Sequence, residues 1–133
     1  RLFPANDELK FIYASCDAWL FASRTEGFGL PILEAMACRT PVIATPAGAA
    51  PELITAQNGG VLLDHESPEQ MAREIVRFCN MEESEWQVIS AAALKTSTTY
   101  TWDEAGRQFE ESLKRAYEID APKRKADVDA LQS

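Results

Sequence analysis

The sequence has one histidine and three cysteines among its 133 residues, too few for most metal-binding arrangements. Cys16, Cys38 and Cys79 form no Cys-x-x-Cys pair, and His65 stands alone, so we expect no metal site. The odd and scattered cysteines also argue against a disulfide framework. They favour a reducing compartment, and we therefore predict a cytoplasmic protein.

Basic residues are scarce, with 13 Lys and Arg against 21 Asp and Glu, for a formal net charge of −8. This excess of negative charge repels phosphate backbones, so we expect no nucleic-acid partner. No apolar run approaches the roughly 18–20 residues that a membrane span requires. A small anionic ligand remains compatible with this charge, because backbone N–H groups bind anions without a basic patch.

Three short apolar runs, at 18–22, 41–45 and 61–63, are typical of strands buried on both faces. Helical periodicity, prolines in first turns and capping residues predict the segments between and after them to be helical. These helices are expected at about 6–16, 31–38, 51–54, 68–79, 84–95 and from 101 onward. The alternation predicts an α/β fold, a Rossmann-like parallel sheet of about three strands with five to six helices on both faces.

The last helix is expected to bury one apolar face, formed by Trp102, Ala105, Phe109, Leu113 and Ala116. Residues 121–133 are charged and predicted to be a tail, either disordered or a helical extension.

Three strands are few for a doubly wound sheet, which usually has five or six. Residues 1–120 are therefore predicted to form the second half of such a domain, and the chain, which begins at Arg1, to be part of a longer protein. In that case the first strand presents an unpaired edge, and self-association through this edge is expected.

Two glycines follow the first strand, where the loops of a parallel sheet bind ligands. Gly27 and Gly29 flank Phe28 directly before a helix, so several backbone N–H groups are accessible at the positive end of the helix dipole. Such a site suits a phosphate or a sugar hydroxyl. Because Gly-x-Gly also occurs in structural turns, both interpretations stay open at this point.

Two carboxylates lie eight residues apart around these glycines. Glu26 precedes the helix, and Glu34 is the only charged residue within 29–37. A carboxylate in so apolar a helix is costly to bury unless donors bind it. The alternatives are that Glu34 pairs with a structural arginine or reaches solvent, and that Glu26 only interacts favourably with the positive end of the helix dipole.

Residues 23–45, Ser-Arg-Thr-Glu-Gly-Phe-Gly-Leu-Pro-Ile-Leu-Glu-Ala-Met-Ala-Cys-Arg-Thr-Pro-Val-Ile-Ala-Thr, resemble the signature of family-4 retaining glycosyltransferases. Residues 13–17, 48–54 and the Gly59-Gly60 strand resemble its flanking segments, so the likeness covers about residues 8–80. It implies the GT-B architecture, in which two Rossmann-like domains face each other across a cleft. The chain then corresponds to the later half of the C-terminal, donor-binding domain.

The resemblance also implies roles for individual residues. Glu26 is expected to contact donor-sugar hydroxyls near the anomeric carbon, as a catalytic residue that positions and stabilises rather than attacks. Glu34 is expected to accept hydrogen bonds from the ribose of the nucleotide. Backbone N–H groups are expected to bind sugar hydroxyls and the diphosphate, without metal or cofactor, at Gly27, Phe28, Gly29 and Leu30.

The implied activity is transfer of a hexosyl unit from a nucleotide-sugar donor to an acceptor with retention of configuration. The chain is expected to depend on a missing N-terminal portion and to be inactive alone. The alternative is a non-catalytic module for nucleotide-sugar binding or interaction. One departure is Arg39, where the family often has glycine; the turn there is expected either to be left-handed at about 1 kcal/mol or to take another form.

Overall fold

The computed structural model describes residues 6–55 and 58–131, with side chains described for 8–55 and 58–120. Contacts divide the chain into two compact units, Arg1–Thr99 and Tyr100–Ser133. The division falls before the boundary predicted at residue 120.

The first unit is a three-stranded parallel sheet with strand order β1-β2-β3 and helices between the strands. The predicted Rossmann-like α/β fold is therefore confirmed, with each strand within a residue or two of its expected position. In chain order the elements are α1 Asn6–Ala14, β1 Trp19–Phe21, α2 Leu30–Ala37, β2 Val42–Ala44, α3 Ala50–Leu53, β3 Gly60–Leu62, α4 Pro68–Cys79 and α5 Glu83–Ser97.

The central strand β2 is buried on both faces. Val42 and Ala44 belong to a hydrophobic cluster that includes α1, α2 and α3, whereas Ile43 belongs to a second cluster with α4. Successive side chains of a strand point to opposite faces, so the sheet is covered on both sides as predicted. On α2, Ile32 and Met36 are fully buried. Each contributes about 1.5–3 kcal/mol relative to an exposed side chain, which holds α2 against the sheet.

The three strands end level with one another. Phe21 pairs in register with Ala44, and Ala44 pairs with Leu62. All strands are parallel, so the loops that follow them leave from the same edge of the sheet.

Helix α4 begins as predicted, because the Ser67 hydroxyl accepts a hydrogen bond from the Gln70 N–H at 3.1 Å and Pro68 is the first helical residue. At the end of α2, Arg39 has a φ of 65°, so the left-handed form of this turn is the one adopted. The buried Ser90 hydroxyl donates to the Arg39 carbonyl at 2.7 Å and holds the turn.

The second unit contains a long helix, α6, at Trp102–Leu131, so the helical form of the predicted tail is the one present through residue 131. The predicted burial of its apolar face is wrong. Amphipathic periodicity predicts an apolar face on the helix, but burial needs a second element, and the described part of this unit contains no other helix or strand. Every predicted member of the face is exposed: Trp102 (89%), Phe109 (67%), Leu113 (55%), Ala105 and Ala116.

Strand β1 has one unpaired edge among the described residues, and Leu20 in its centre is 46% exposed. Self-association through this edge remains a prediction. None of the described helices is long and apolar enough to cross a membrane.

Candidate functional site

The loops that follow β1 and β2 are joined by hydrogen bonds. The buried Thr45 hydroxyl donates to the Ser23 carbonyl at 2.6 Å, and the Ala49 N–H donates to the Phe28 carbonyl at 2.8 Å. The Thr45 N–H also donates to the Phe21 carbonyl at 2.9 Å. The two loops predicted to share this edge of the sheet therefore form one connected surface.

Gly48 lies where the two loops approach most closely. A Cβ at this position would be 2.7 Å from the Phe28 carbonyl oxygen and 2.9 Å from the Glu26 Cβ. Its φ of 58° is also in the left-handed region that favours glycine. The position of residues 26–28 thus depends on a residue without a side chain in the second loop.

Four backbone N–H groups are clustered at the start of α2. Among the residues that the structure describes, no hydrogen bond uses the N–H of Gly27, Phe28, Gly29 or Leu30 as donor. Backbone donors without an acceptor at a helix N-terminus, together with the positive end of the dipole, favour binding of an anion.

The two glycines of this loop differ in what surrounds them. Gly29 is the N-cap of α2 with a φ of 98°, and a Cβ there would lie 3.2 Å from the Phe21 ring. Among the described residues, apart from its two chain neighbours, no atom lies within 4 Å of the Cβ position of Gly27. Gly29 therefore serves the turn, whereas the space beside Gly27 is open to a ligand.

Glu26 is exposed at this loop, and its Oε1 accepts a hydrogen bond from the Ser23 hydroxyl at 2.7 Å. None of the ion pairs among the described residues includes Glu26. The carboxylate is thus oriented by a neutral donor and keeps its charge available at the surface.

Glu34 is also exposed. The energetic cost of a buried carboxylate, which singled out this position in the sequence, therefore does not arise. Its Oε2 accepts a hydrogen bond from the Tyr13 hydroxyl at 2.8 Å. The alternative in which an arginine neutralises Glu34 is not seen among the described ion pairs.

The Glu34 carboxylate raises the pKa of two neighbouring side chains, Tyr13 and Cys38. Burial, the hydrogen bond to Glu34 and the charge of Glu34 together raise the pKa of Tyr13 far above its ordinary value. Burial and the same charge raise the pKa of the Cys38 thiol. Tyr13 is consequently a neutral hydrogen-bond donor, and formation of the Cys38 thiolate is disfavoured.

Arg24 connects the first loop to the segment after β3. Its Nε lies 2.6 Å from Glu66 Oε1, and the side chains are 81% and 47% exposed. An exposed pair of this kind contributes at most about 1 kcal/mol to stability. The pair does place a guanidinium at the same edge of the sheet as the N–H groups of residues 27–30.

Residues 22 and 24–28 are exposed, so the site is an open surface. A groove of about 590 Å³ lies elsewhere, between β3 and α5, with Gly60, Val88 and Ile89 in its lining. In the described part of the chain, no group of three or more His, Cys, Asp or Glu side chains is arranged to hold a metal ion.

Sequence reasoning missed the residues that orient the site. Tyr13 was predicted only as part of a helix and of a flanking segment. Ser23 and Thr45 were predicted only as members of the signature and of its loop and strand, and Gly48 only as part of a loop and of a flanking segment. Apart from Ser23 and Glu26, which are three residues apart, their contacts join positions 20 to 22 residues apart in the chain, and no local pattern specifies such pairs.

The sequence profile described as "Glycosyl transferases group 1" matches residues 2–95. The chain belongs to this family. It is 28% identical to the O-antigen chain mannosyltransferase B of Escherichia coli over 107 residues, which are 80% of this chain and 27% of that protein. As a member of the family, it spans little more than a quarter of this curated relative.

Solved structures of the family show the same fold. The C-terminal domain of the Francisella tularensis glycosyl transferase LpcC is 35% identical, with a TM-score of 0.64, and covers 73% of this chain and 49% of that domain. Anabaena HepE in complex with UDP-glucose is 28% identical, with a TM-score of 0.68, over 85% of this chain and 30% of HepE. This group 1 glycosyl transferase chain is thus a C-terminal portion of the GT-B fold.

Proposed function

We propose that this chain forms part of the donor-binding domain of a retaining glycosyltransferase, which transfers a hexosyl unit from a nucleotide-sugar to an acceptor. The observation that supports the proposal most directly is the cluster of four backbone N–H groups at residues 27–30, which have no acceptor among the described residues. Glu26 and Glu34 flank this segment in the chain, and neither is in an ion pair within the described part of the structure. Family membership supports it, as does the UDP-glucose bound by the structural neighbour HepE.

The N–H groups of residues 27–30 are proposed to bind the diphosphate. Negative charge grows on the diphosphate as its bond to the anomeric carbon breaks. Donors that already point at this position stabilise the charge without reorganisation, and the dipole of α2 adds to their effect. No metal ion or other cofactor is needed for this role in the proposal.

The two carboxylates are proposed to bind opposite ends of the donor. Glu26 accepts hydrogen bonds from the donor sugar, and its negative charge stabilises the positive charge that develops at the anomeric carbon. Its side chain is oriented by Ser23 for this purpose. Glu34, one turn into α2, accepts hydrogen bonds from the ribose hydroxyls.

The isolated chain is proposed to bind donor without transferring sugar. It spans only 27% of the mannosyltransferase and 30% of HepE, and we propose that the remainder of the enzyme binds the acceptor. Transfer requires donor and acceptor to be held in one geometry. The alternative, a module that binds donor and never takes part in transfer, is tested by adding the remainder of the enzyme and measuring sugar transfer.

A cytoplasmic location is part of the proposal. It is supported by the three cysteines, none of which forms a disulfide.

Gly27→Ala tests whether the diphosphate lies beside the loop. Beyond its chain neighbours, the added methyl group meets no atom of the described residues within 4 Å, and Gly27 does not need a positive φ, so the fold is expected to be unchanged. A bound diphosphate would meet that methyl group, and we expect affinity to fall about tenfold or more. The measurement is NMR titration with UDP, GDP, ADP and the corresponding glucose conjugates.

The matched control is Gly106→Ala on α6, where a methyl group also meets nothing. This variant is expected to bind as the unsubstituted chain does. Equal affinities for Gly27→Ala and Gly106→Ala would contradict a diphosphate site at this loop.

Glu34→Gln and Glu26→Gln separate the two ends of the donor. Because Glu34 is assigned to the ribose, Glu34→Gln is expected to weaken binding of UDP and of UDP-glucose equally. The expected loss of affinity is about tenfold, as for loss of a hydrogen bond to a charged group. Glu26→Gln is expected to weaken binding of UDP-glucose only, since UDP lacks the glucose that Glu26 is assigned to contact. Glu110→Gln, an exposed carboxylate of α6, controls for the change in net charge. Reversal of the two patterns would overturn the assignment.

A further inference from the structure

An exposed carboxylate that binds a ligand benefits from being held before the ligand arrives. Glu34 has three rotatable side-chain bonds and is exposed on α2. Immobilising such a side chain on binding costs part of the interaction energy. A fixed partner in the free protein removes that cost in advance.

Tyr13 is a rigid partner of this kind. It is only 5% exposed, and its ring packs edge-on against Trp19 with centroids 4.6 Å apart. The Thr40 hydroxyl donates to its carbonyl at 2.7 Å in the buried interior. The phenol is therefore fixed by contacts that do not involve Glu34.

The hydrogen bond between the two side chains has a definite direction. The Tyr13 hydroxyl donates to Oε2 of Glu34 at 2.8 Å. No hydrogen bond among the described residues uses Oε1, so that oxygen is available to a ligand. The raised pKa of Tyr13 supports this direction, because the phenol keeps its proton.

We propose that Tyr13 is a positioning residue for nucleotide binding. Its hydroxyl holds the Glu34 carboxylate in the orientation that accepts hydrogen bonds from the ribose diol. Tyr13 thereby contributes to the selection of nucleotides that carry this diol. This inference rests on the proposed role of Glu34 in donor binding. The ring of Tyr13 belongs to the hydrophobic core, and a phenylalanine would fill the same space. The hydroxyl alone is therefore the group with a functional role.

Tyr13→Phe tests the proposal with two ligands. The first is UDP, or GDP or ADP if that diphosphate binds more tightly, and the second is its 2′,3′-dideoxy counterpart. We expect the variant to bind the natural diphosphate about three- to tenfold more weakly, the range for one hydrogen bond. Binding of the dideoxy compound is expected to be unchanged, since it has no diol that could donate hydrogen bonds to Glu34. Tyr100→Phe, a tyrosine of the other unit, is the matched control and is expected to match the unsubstituted chain for both ligands.

A second comparison uses Glu34→Gln. If Tyr13 acts through Glu34, the double variant Tyr13→Phe/Glu34→Gln binds the natural diphosphate no more weakly than Glu34→Gln alone. If Tyr13→Phe weakened binding of both ligands equally, or of neither, the positioning role would be overturned while the proposed function stands. Failure of the unsubstituted chain to bind any of the three diphosphates would instead overturn the proposed function, and this inference with it.

Discussion

Gly48→Ala is expected to weaken binding of the nucleotide-sugar by more than tenfold while the chain remains folded. The new methyl group would lie 2.7 Å from the Phe28 carbonyl oxygen and 2.9 Å from the Glu26 Cβ, too close for either contact. The two loops must separate, and residues 26–28 move away from the position that the ligand requires. A left-handed alanine costs about 1 kcal/mol in addition, which a domain of this size tolerates.

Two measurements check this expectation. NMR titration with UDP-glucose gives the affinity, and hydrogen exchange reports on the Ala49 amide, which donates to the Phe28 carbonyl at 2.8 Å in the native loop. Faster exchange of this amide together with weaker binding would support displacement of the loop. An unchanged affinity and an unchanged exchange rate would show that residues 26–28 do not depend on Gly48.

Gly59→Ala is expected to have the largest effect on stability. A Cβ at this position would lie 2.1 Å from the backbone N and 2.2 Å from the Cα of Ala93, inside α5. Gly59 also has a φ of 80°. Overpacking of a rigid interior and a left-handed alanine together cost about 3 kcal/mol or more, a large share of the stability of a small domain. Urea unfolding followed by circular dichroism measures this loss.

The double variant Gly59→Ala/Ala93→Gly shows whether backbone or side chain causes the clash. Two of the overlapping atoms belong to the backbone of Ala93, so removal of its methyl group is expected to leave most of the destabilisation in place. Recovery of native stability by the double variant would contradict a close approach of Gly59, the residue before β3, to the backbone of α5. Gly106→Ala, a methyl group in open space on α6, is expected to be neutral or slightly stabilising.

The positions of strands and helices were predictable because their signals are local. Buried parallel strands read as short continuous apolar runs, and β1, β2 and β3 lie within those runs or overlap them closely. Helix α4 follows its Ser-Pro start signal, which acts over only four residues. The coverage of both sheet faces followed from the alternation of strands and helices.

The exposed face of α6 marks the limit of that reasoning. Periodicity predicted correctly that Trp102, Phe109 and Leu113 share a stripe of the helix, but burial requires a second surface, which periodicity does not specify. The same limit applied to Glu34. Its apolar neighbours in the chain suggested a buried carboxylate, whereas the face of α2 on which it lies is exposed.

The sequence by itself determined the fold class, the loop with its two glycines and the pair of carboxylates, because each depends on residues close together in the chain. Their assignment to a donor came from a resemblance and stays a prediction. Only the tertiary structure decided how these groups are held: Tyr13 against Glu34, and Gly48 against residues 26–28. The physical reason is that parallel strands joined by helices bring their loops together from segments some twenty residues apart, and hydrogen bonds and close contacts across such distances leave no periodic signal in a single sequence.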